Sequence, residues 1–300
     1  MQFHVDPDKA SQLNLRVGIK PATILAVLPA ETNVTKISEH PSDSVWWMVS
    51  ADLNGDTVQG YVHSSYLKPG HVEDVTPVLS GDYPEAHMKM NGKSRSMDGG
   101  RAFPLDEASM PLRTSNSVSE LVKIINFLEP DNASHKRYIA TGGKTFCNIY
   151  AYDYACRCSV YLPRVWWTDK ALIAIAQGQH VDVKYAKTVR ELNANMLHDW
   201  FIDYGSTFGW KRVFEPSDLQ SAANGGRVAI IVAKRVNLSR SGHIVAVVPE
   251  HDGVTAGKNS GKITRPVQSQ AGHTNFKAKP SSKIWWDDAR FQSFGFWVHD

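Results

Sequence analysis

Gly142-Gly143-Lys144-Thr145-Phe146-Cys147-Asn148-Ile149-Tyr150 is a glycine-rich turn that runs straight into an apolar stretch with helical character. About a hundred residues later, Ser241-Gly242-His243-Ile244-Val245-Ala246-Val247-Val248 sets a histidine at the start of a β-branched run. The first stretch predicts a helix over Cys147–Cys158 with a thiol in its first turn. There the unpaired N–H groups and the positive end of the helix dipole favour thiolate over thiol. The second predicts a strand over His243–Pro249 that opens on an imidazole, a group able to take a proton and return it to a leaving amine.

Working outward, three regions separate along the 300 residues. From Leu13 to Pro69, short β-branched and aromatic runs alternate with turn signals such as Lys20-Pro21 and Asn54-Gly55-Asp56. Strands are expected at Leu13–Arg16, Thr23–Leu28, Thr32–Ile37, Val45–Val49 and Gly60–Val62, a density that indicates a small barrel. From 70 to 113, Gly, Ser, Pro, Met and charge dominate without periodicity, which reads as a linker or a loosely packed crossing segment. Ser117-Val118-Ser119-Glu120 then offers a capping box before Leu121–Leu128, a helix that should stop near Pro130. Further helices are expected at Asp169–Gln177, Thr188–Tyr204 and Pro216–Asn224. Strands are expected at Val228–Ala233, Thr264–Ser269 and Phe294–Val298. The expected organisation is a barrel over 1–69, a linker over 70–113 and an α+β domain with an antiparallel sheet over 114–300.

Composition narrows the function classes. With 42% hydrophobic and 21% charged residues the chain reads as globular. A net charge of +3 is too small to argue for nucleic acid, though it is compatible with a polyanionic wall. Three cysteines, Cys147, Cys156 and Cys158, exclude a disulfide framework, and no ligand spacing suggests a metal. No cofactor is expected. No run reaches membrane-spanning length, and Met1–Gln12 lacks a basic-then-apolar signal. A protein made in the cytoplasm, reaching the wall after lysis or by dedicated export, is therefore expected. The tryptophan pairs Trp46-Trp47, Trp166-Trp167 and Trp285-Trp286 suggest core packing with one ring of each exposed.

Leu13-Asn14-Leu15-Arg16-Val17-Gly18, Val45-Trp46-Trp47-Met48-Val49 and Gly60-Tyr61-Val62-His63-Ser64-Ser65-Tyr66-Leu67 resemble, in order and spacing, the bacterial SH3 (SH3b) family. The resemblance implies a module that holds a cell-wall peptide or docks on its own catalytic domain. Trp47, Tyr61 and Tyr66 are its candidate substrate-binding aromatics, the plainer alternative being that they fill a barrel with little other core.

The second half resembles the NlpC-type and CHAP-type branch of papain-like cysteine hydrolases, with a pattern similar to a phage- and prophage-like set. The carrying pieces are Gly143 to Tyr150, Phe208-Gly209-Trp210-Lys211-Arg212-Val213, Ser241 to Val248, and Gln270-Ala271-Gly272-His273-Thr274-Asn275-Phe276. The resemblance implies a papain-like α+β fold with Cys147 as nucleophile and His243 as general base and acid. It also implies a polar residue on the next strand that orients the imidazole. By alternation Gln268 and Gln270 share a face. Gln270 is the first choice, Asn275 the second, and His273 stays open. No acidic residue stands where a CHAP enzyme would use one, which favours an NlpC-like neutral third member. The Cys147 N–H is the natural oxyanion donor. Trp166, Trp210 and Arg212 are candidates to line a substrate groove, and Gly242 should allow close approach of a substrate backbone.

The expected function is cleavage of an amide of the peptidoglycan stem peptide by a Cys–His thiol mechanism. An endopeptidase cut between D-Glu and diaminopimelate is favoured, with an N-acetylmuramoyl-L-alanine amidase as the alternative. A papain-fold transferase or deamidase effector and a non-catalytic wall-binding protein also stay open. The expected partners are bacterial peptidoglycan and, for an exported antibacterial effector and not an endolysin, an immunity protein or secretion machinery. Nucleic acid and membrane are not among them.

Overall fold

The computed structural model describes all residues except 1, 11, 20–22, 31, 54–55, 71–82, 89–94 and 97–100. The chain divides into two units, Met1–Ser80 and Gly81–Asp300. In the first, β1 (Gln2–Val5), β2 (Gln12–Arg16), β3 (Ile24–Pro29), β4 (Asn33–His40), β5 (Asp43–Leu53), β6 (Asp56–His63) and β7 (Leu67–Pro69) form one antiparallel sheet. The order is β3-β2-β6-β5-β4-β1-β7. Alternation sends Leu13, Leu15, Val34, Val49, Ala51 and Val62 inward, all buried.

Two strands were not legible in the sequence pattern, β1 and β7, and they pair with each other. The expected closed barrel is corrected: among the described residues no ladder joins β3 to β7, so the sheet is open. Gly60 is required by packing, since a Cβ there would stand 2.8 Å from Arg16 O and Leu15 Cγ.

In the second unit, helix α1 (Val118–Leu128) starts at Ser117, whose Oγ accepts from the Glu120 N–H at 3.4 Å. The Glu120 carboxylate turns outward to Thr114 and Ser115 instead of closing the expected box. The helix ends with Glu129 in the left-handed region, just before Pro130. Then come α2 (Cys147–Arg157), β8 (Val165–Trp167), α3 (Asp169–Ala176), β9 (Val189–Glu191), α4 (Ala194–Tyr204), β10 (Lys211–Val213) and α5 (Pro216–Asn224). The chain closes with β11 (Val228–Arg235), β12 (His243–Val247), β13 (Gly257–Asn259), β14 (Lys262–Arg265), β15 (Val267–Gln270), β16 (Phe276–Pro280) and β17 (Phe291–His299).

The central sheet is antiparallel with order β10-β17-β11-β12-β15-β16. Ile230, Val232, Ile244 and Ala246 join one core with α1, α2 and α4. The opposite face meets α5 and the segment 281–290, where Trp286 packs edge-on against Phe296. This is the α+β layout expected. The expected helix over Thr188–Tyr204 is two elements, because Asn193 caps α4 by accepting from the Met196 N–H and the chain before it pairs with β8. The described part of the expected linker from Tyr83 onward belongs to this unit. Tyr83, Ala86, Leu105 and Met110 are buried in its core, and Pro84 O accepts the Trp167 indole N–H at 2.8 Å. No helix is long and apolar enough to cross a membrane among the described residues.

Candidate active site

Gly142 and Gly143 have φ of 58° and 73° and close a two-residue turn in which Thr141 and Lys144 exchange both backbone hydrogen bonds. Positive φ at both central positions is the geometry glycine supplies without strain. The turn delivers Cys147 as the first residue of α2, with no side-chain cap on the first-turn N–H groups.

Helix α2 is fixed from below by a buried ion pair. Arg137 Nε donates to Asp153 Oδ2 at 2.7 Å and its Nη2 to Oδ1 at 3.2 Å, while Tyr138 Oη donates to Oδ2 at 2.7 Å. The Tyr150 hydroxyl bonds the Ser269 hydroxyl on β15, and Asn148 Nδ2 donates to Leu192 O at 2.9 Å.

His243 is half-buried at the start of β12. Its Nε2 lies 2.6 Å from Gln270 Oε1, and Gln270 Nε2 donates to Thr274 O at 2.7 Å. The second bond fixes the amide orientation: only the NH2 end can face a carbonyl, so Oε1 faces the imidazole. Nε2 is therefore the protonated nitrogen, and Nδ1 is left as the base. Among the described residues Nδ1 has no hydrogen-bond partner.

Trp285 lies edge-on against the imidazole with centroids 4.7 Å apart. Its Nε1–H donates to Gln268 Oε1 at 2.9 Å. Gln268 and Gln270 thus serve one face of β15, as alternation requires, while Ser269 between them serves α2.

Cys147 is 2% exposed and packs in the core shared with α2 and α4. Burial raises its thiol above the ordinary range, opposed by the backbone groups of Ile244, Asn148 and Cys147 itself and by the Thr145 side chain. Burial also pushes the His243 imidazole down to about 4, against the Gln270 hydrogen bond and with the Arg235 charge. Both shifts favour uncharged partners. The thiolate expected from the helix dipole is overridden at rest by desolvation. Among the described residues no hydrogen bond joins Sγ to the imidazole. The sulfur sits beside the backbone of Ile244, the residue after His243, where β12 leaves its ladder with β15 at Ala246↔Ser269.

Other expected site residues stand elsewhere. Asn275 does not reach His243: its Nδ2 donates to Pro130 O and Tyr138 O at 2.9 Å, tying the β15–β16 turn to the chain around α1. His273 is exposed. Trp166 packs against Trp200, Tyr204 and Phe208, and Trp210 donates to Tyr161 O at 2.8 Å; both are buried core, not groove lining. Arg212 holds its guanidinium near the Trp297 and Phe214 rings, and burial lowers it to about 10. Gly242 admits the protein's own backbone and not a substrate's, since a Cβ there would stand 2.2 Å from Ala233 O.

Within the first unit, Trp47 packs on Phe3, lies under Lys36 Nζ and donates to Ser44 O, and Tyr61 packs on His40. Tyr66 is 41% exposed. Trp285 and Gln268 were missed as site residues, although the Trp285-Trp286 pair and the Gln268/Gln270 alternation were both visible.

No family model matches the chain, and no curated protein matches it. Among solved structures, NlpC2 from Trichomonas vaginalis is similar over 100% of this chain and 72% of its own, with 8% identity and a TM-score of 0.25. NlpC1 from Trichomonas vaginalis is similar over 100% of this chain and 69% of its own, with 10% identity and a TM-score of 0.26. Likenesses of that size bear neither on the fold nor on the chemistry.

Proposed function

We propose that the second unit is a thiol hydrolase of the peptidoglycan stem peptide, with Cys147 as nucleophile, His243 as base and Gln270 as the residue that orients it. One observation carries the reading: the Gln270 amide, turned by Thr274, holds His243 in the tautomer that leaves Nδ1 free, one residue from the strand position beside the Cys147 sulfur.

In the reaction Nδ1 takes the Sγ proton as the sulfur–carbon bond forms at the scissile carbonyl, with the Cys147 N–H facing the developing oxyanion. The carbon–nitrogen bond then breaks, and Nδ1–H protonates the leaving amine. Water next attacks the thioester, giving its proton to Nδ1 and releasing the acid and the thiol. Gln270 keeps Nε2–H throughout. Sγ and Nδ1 must close to hydrogen-bonding distance when substrate binds, a tightening common between free and loaded enzymes. Digestion of purified walls tests the proposal, with mass analysis of the muropeptides to name the bond. New amine termini that depend on Cys147 support it, and their absence ends it. The cut between D-Glu and diaminopimelate is favoured over that between muramic acid and L-alanine.

The pH dependence follows from the neutral pair. A base works only when unprotonated, so kcat/KM should rise with pH through an apparent value near 4, as His243 loses its proton. A limb near the ordinary imidazole value of about 6.5 would contradict the buried geometry.

The deep burial of Cys147 favours a second reading, a wall-binding protein without catalysis. A Cys147→Ala variant with undiminished biological activity would establish it. For the first unit we propose an SH3-type module that binds the wall through its exposed Tyr66. Tyr66→Ala should lower retention of the isolated 1–80 segment on purified walls at least several-fold, and unchanged retention would remove that role.

A further inference from the structure

Arg235 closes β11 two residues beyond Ala233, the residue paired with His243, where the β11–β17 register shifts. Its Nε donates to Ser241 O at 3.2 Å, and its guanidinium lies 4.7 Å from the Phe291 ring centroid. Phe291 packs edge-on against Trp285, which packs against His243. One continuous layer, guanidinium then aromatic then aromatic then imidazole, thus leads to the proposed base.

Burial, then the like charges of Arg290 and Arg240, lower the Arg235 pKa, against the pull of the Asp288 carboxylate. Asp288 is already engaged: its two oxygens accept from Arg290 at 2.7 and 3.1 Å and from Lys283 at 2.8 Å. Arg235 itself makes no ion pair with a protein carboxylate among the described residues. A stacked guanidinium held by one backbone carbonyl keeps its remaining N–H fork for a planar oxyanion, which it binds bidentately.

We infer that Arg235 is a specificity-determining residue that receives a free carboxylate of the substrate beside the scissile amide. The inference rests on the hydrolase reading for its reaction but not for its binding, so the two are separable. The site selects an acidic peptide over its amidated counterpart. A lysine at this position would keep the charge and lose the fork.

The test uses two synthetic stem peptides that differ only in a carboxylate or a carboxamide next to the scissile bond. Calorimetry on the full-length Cys147→Ala variant should give binding of the carboxylate peptide at least tenfold tighter than of the carboxamide. Adding Arg235→Gln should bring that ratio close to one, and Arg235→Lys should keep part of it. Equal binding of both peptides, failure of both to bind, or a ratio untouched by Arg235→Gln each overturns the inference. Circular dichroism and a thermal melt confirm that each variant is folded. If the preference is present but the wild type cleaves neither peptide, the carboxylate site stands and the hydrolase reading falls.

Discussion

Cys147→Ala is expected to lower the release of new amine termini from peptidoglycan by roughly 10³-fold or more, while the protein stays folded. The size follows from losing the covalent route outright, since Cys147 is the proposed nucleophile. The fold should tolerate the change, because the side chain is small, buried and free of charge at rest. The measurement is a time course of amine release with matched circular dichroism. His243→Ala should match it to within about tenfold, because residues that act as a unit cost nearly as much singly as together. Unchanged release in either variant would leave the pair without a role.

Asp153→Ala is expected to give the largest loss of stability, about 3–5 kcal/mol, because it strands a buried guanidinium. Arg137 and Asp153 have side chains 2% and 1% exposed, and Tyr138 spends its hydroxyl on the same carboxylate. Removing the acid leaves the Arg137 guanidinium with Phe103 O as its remaining hydrogen-bond partner among the described residues. Urea unfolding of wild type and variant gives the difference directly. The loss should reach the site as well: Asp153 stands in α2, which begins at Cys147, and the Tyr138 carbonyl accepts from Asn275 in the turn after Gln270. A change below about 1 kcal/mol would mean that the pair gives back in desolvation whatever it gains.

What was legible in the sequence was local. Two glycines before an apolar run placed the start of α2 at Cys147, because positive φ at both positions is a backbone requirement that glycine meets. Ser117 and Pro130 around α1, Pro216 at the head of α5 and the β-branched runs of β11 and β12 are equally local. Gln270 could be chosen because it lies in a piece that carries the family resemblance, alternation alone having placed Gln268 on the same face.

What was not legible was tertiary. The strands β1 and β7 are short and find each other across the whole first unit. The helix dipole at Cys147 could be read from the chain, but the burial that outweighs it could not, since it comes from the packing of α2 on β12. Asn275 has the right chemistry for a third member and is spent on two carbonyls of a distant segment. Trp166 and Trp210 read as core more readily than as groove lining, and the structure packs Tyr161 and Trp200 on the first and Phe201 on the second.

The resting separation of sulfur and imidazole makes one measurement decisive. Wild-type protein mixed with a stem-peptide substrate, acid-quenched at early times and weighed intact, should carry the acyl fragment as a thioester on Cys147, lost again as hydrolysis proceeds. Turnover with no adduct on that sulfur at any time, and undiminished in Cys147→Ala, would contradict the account.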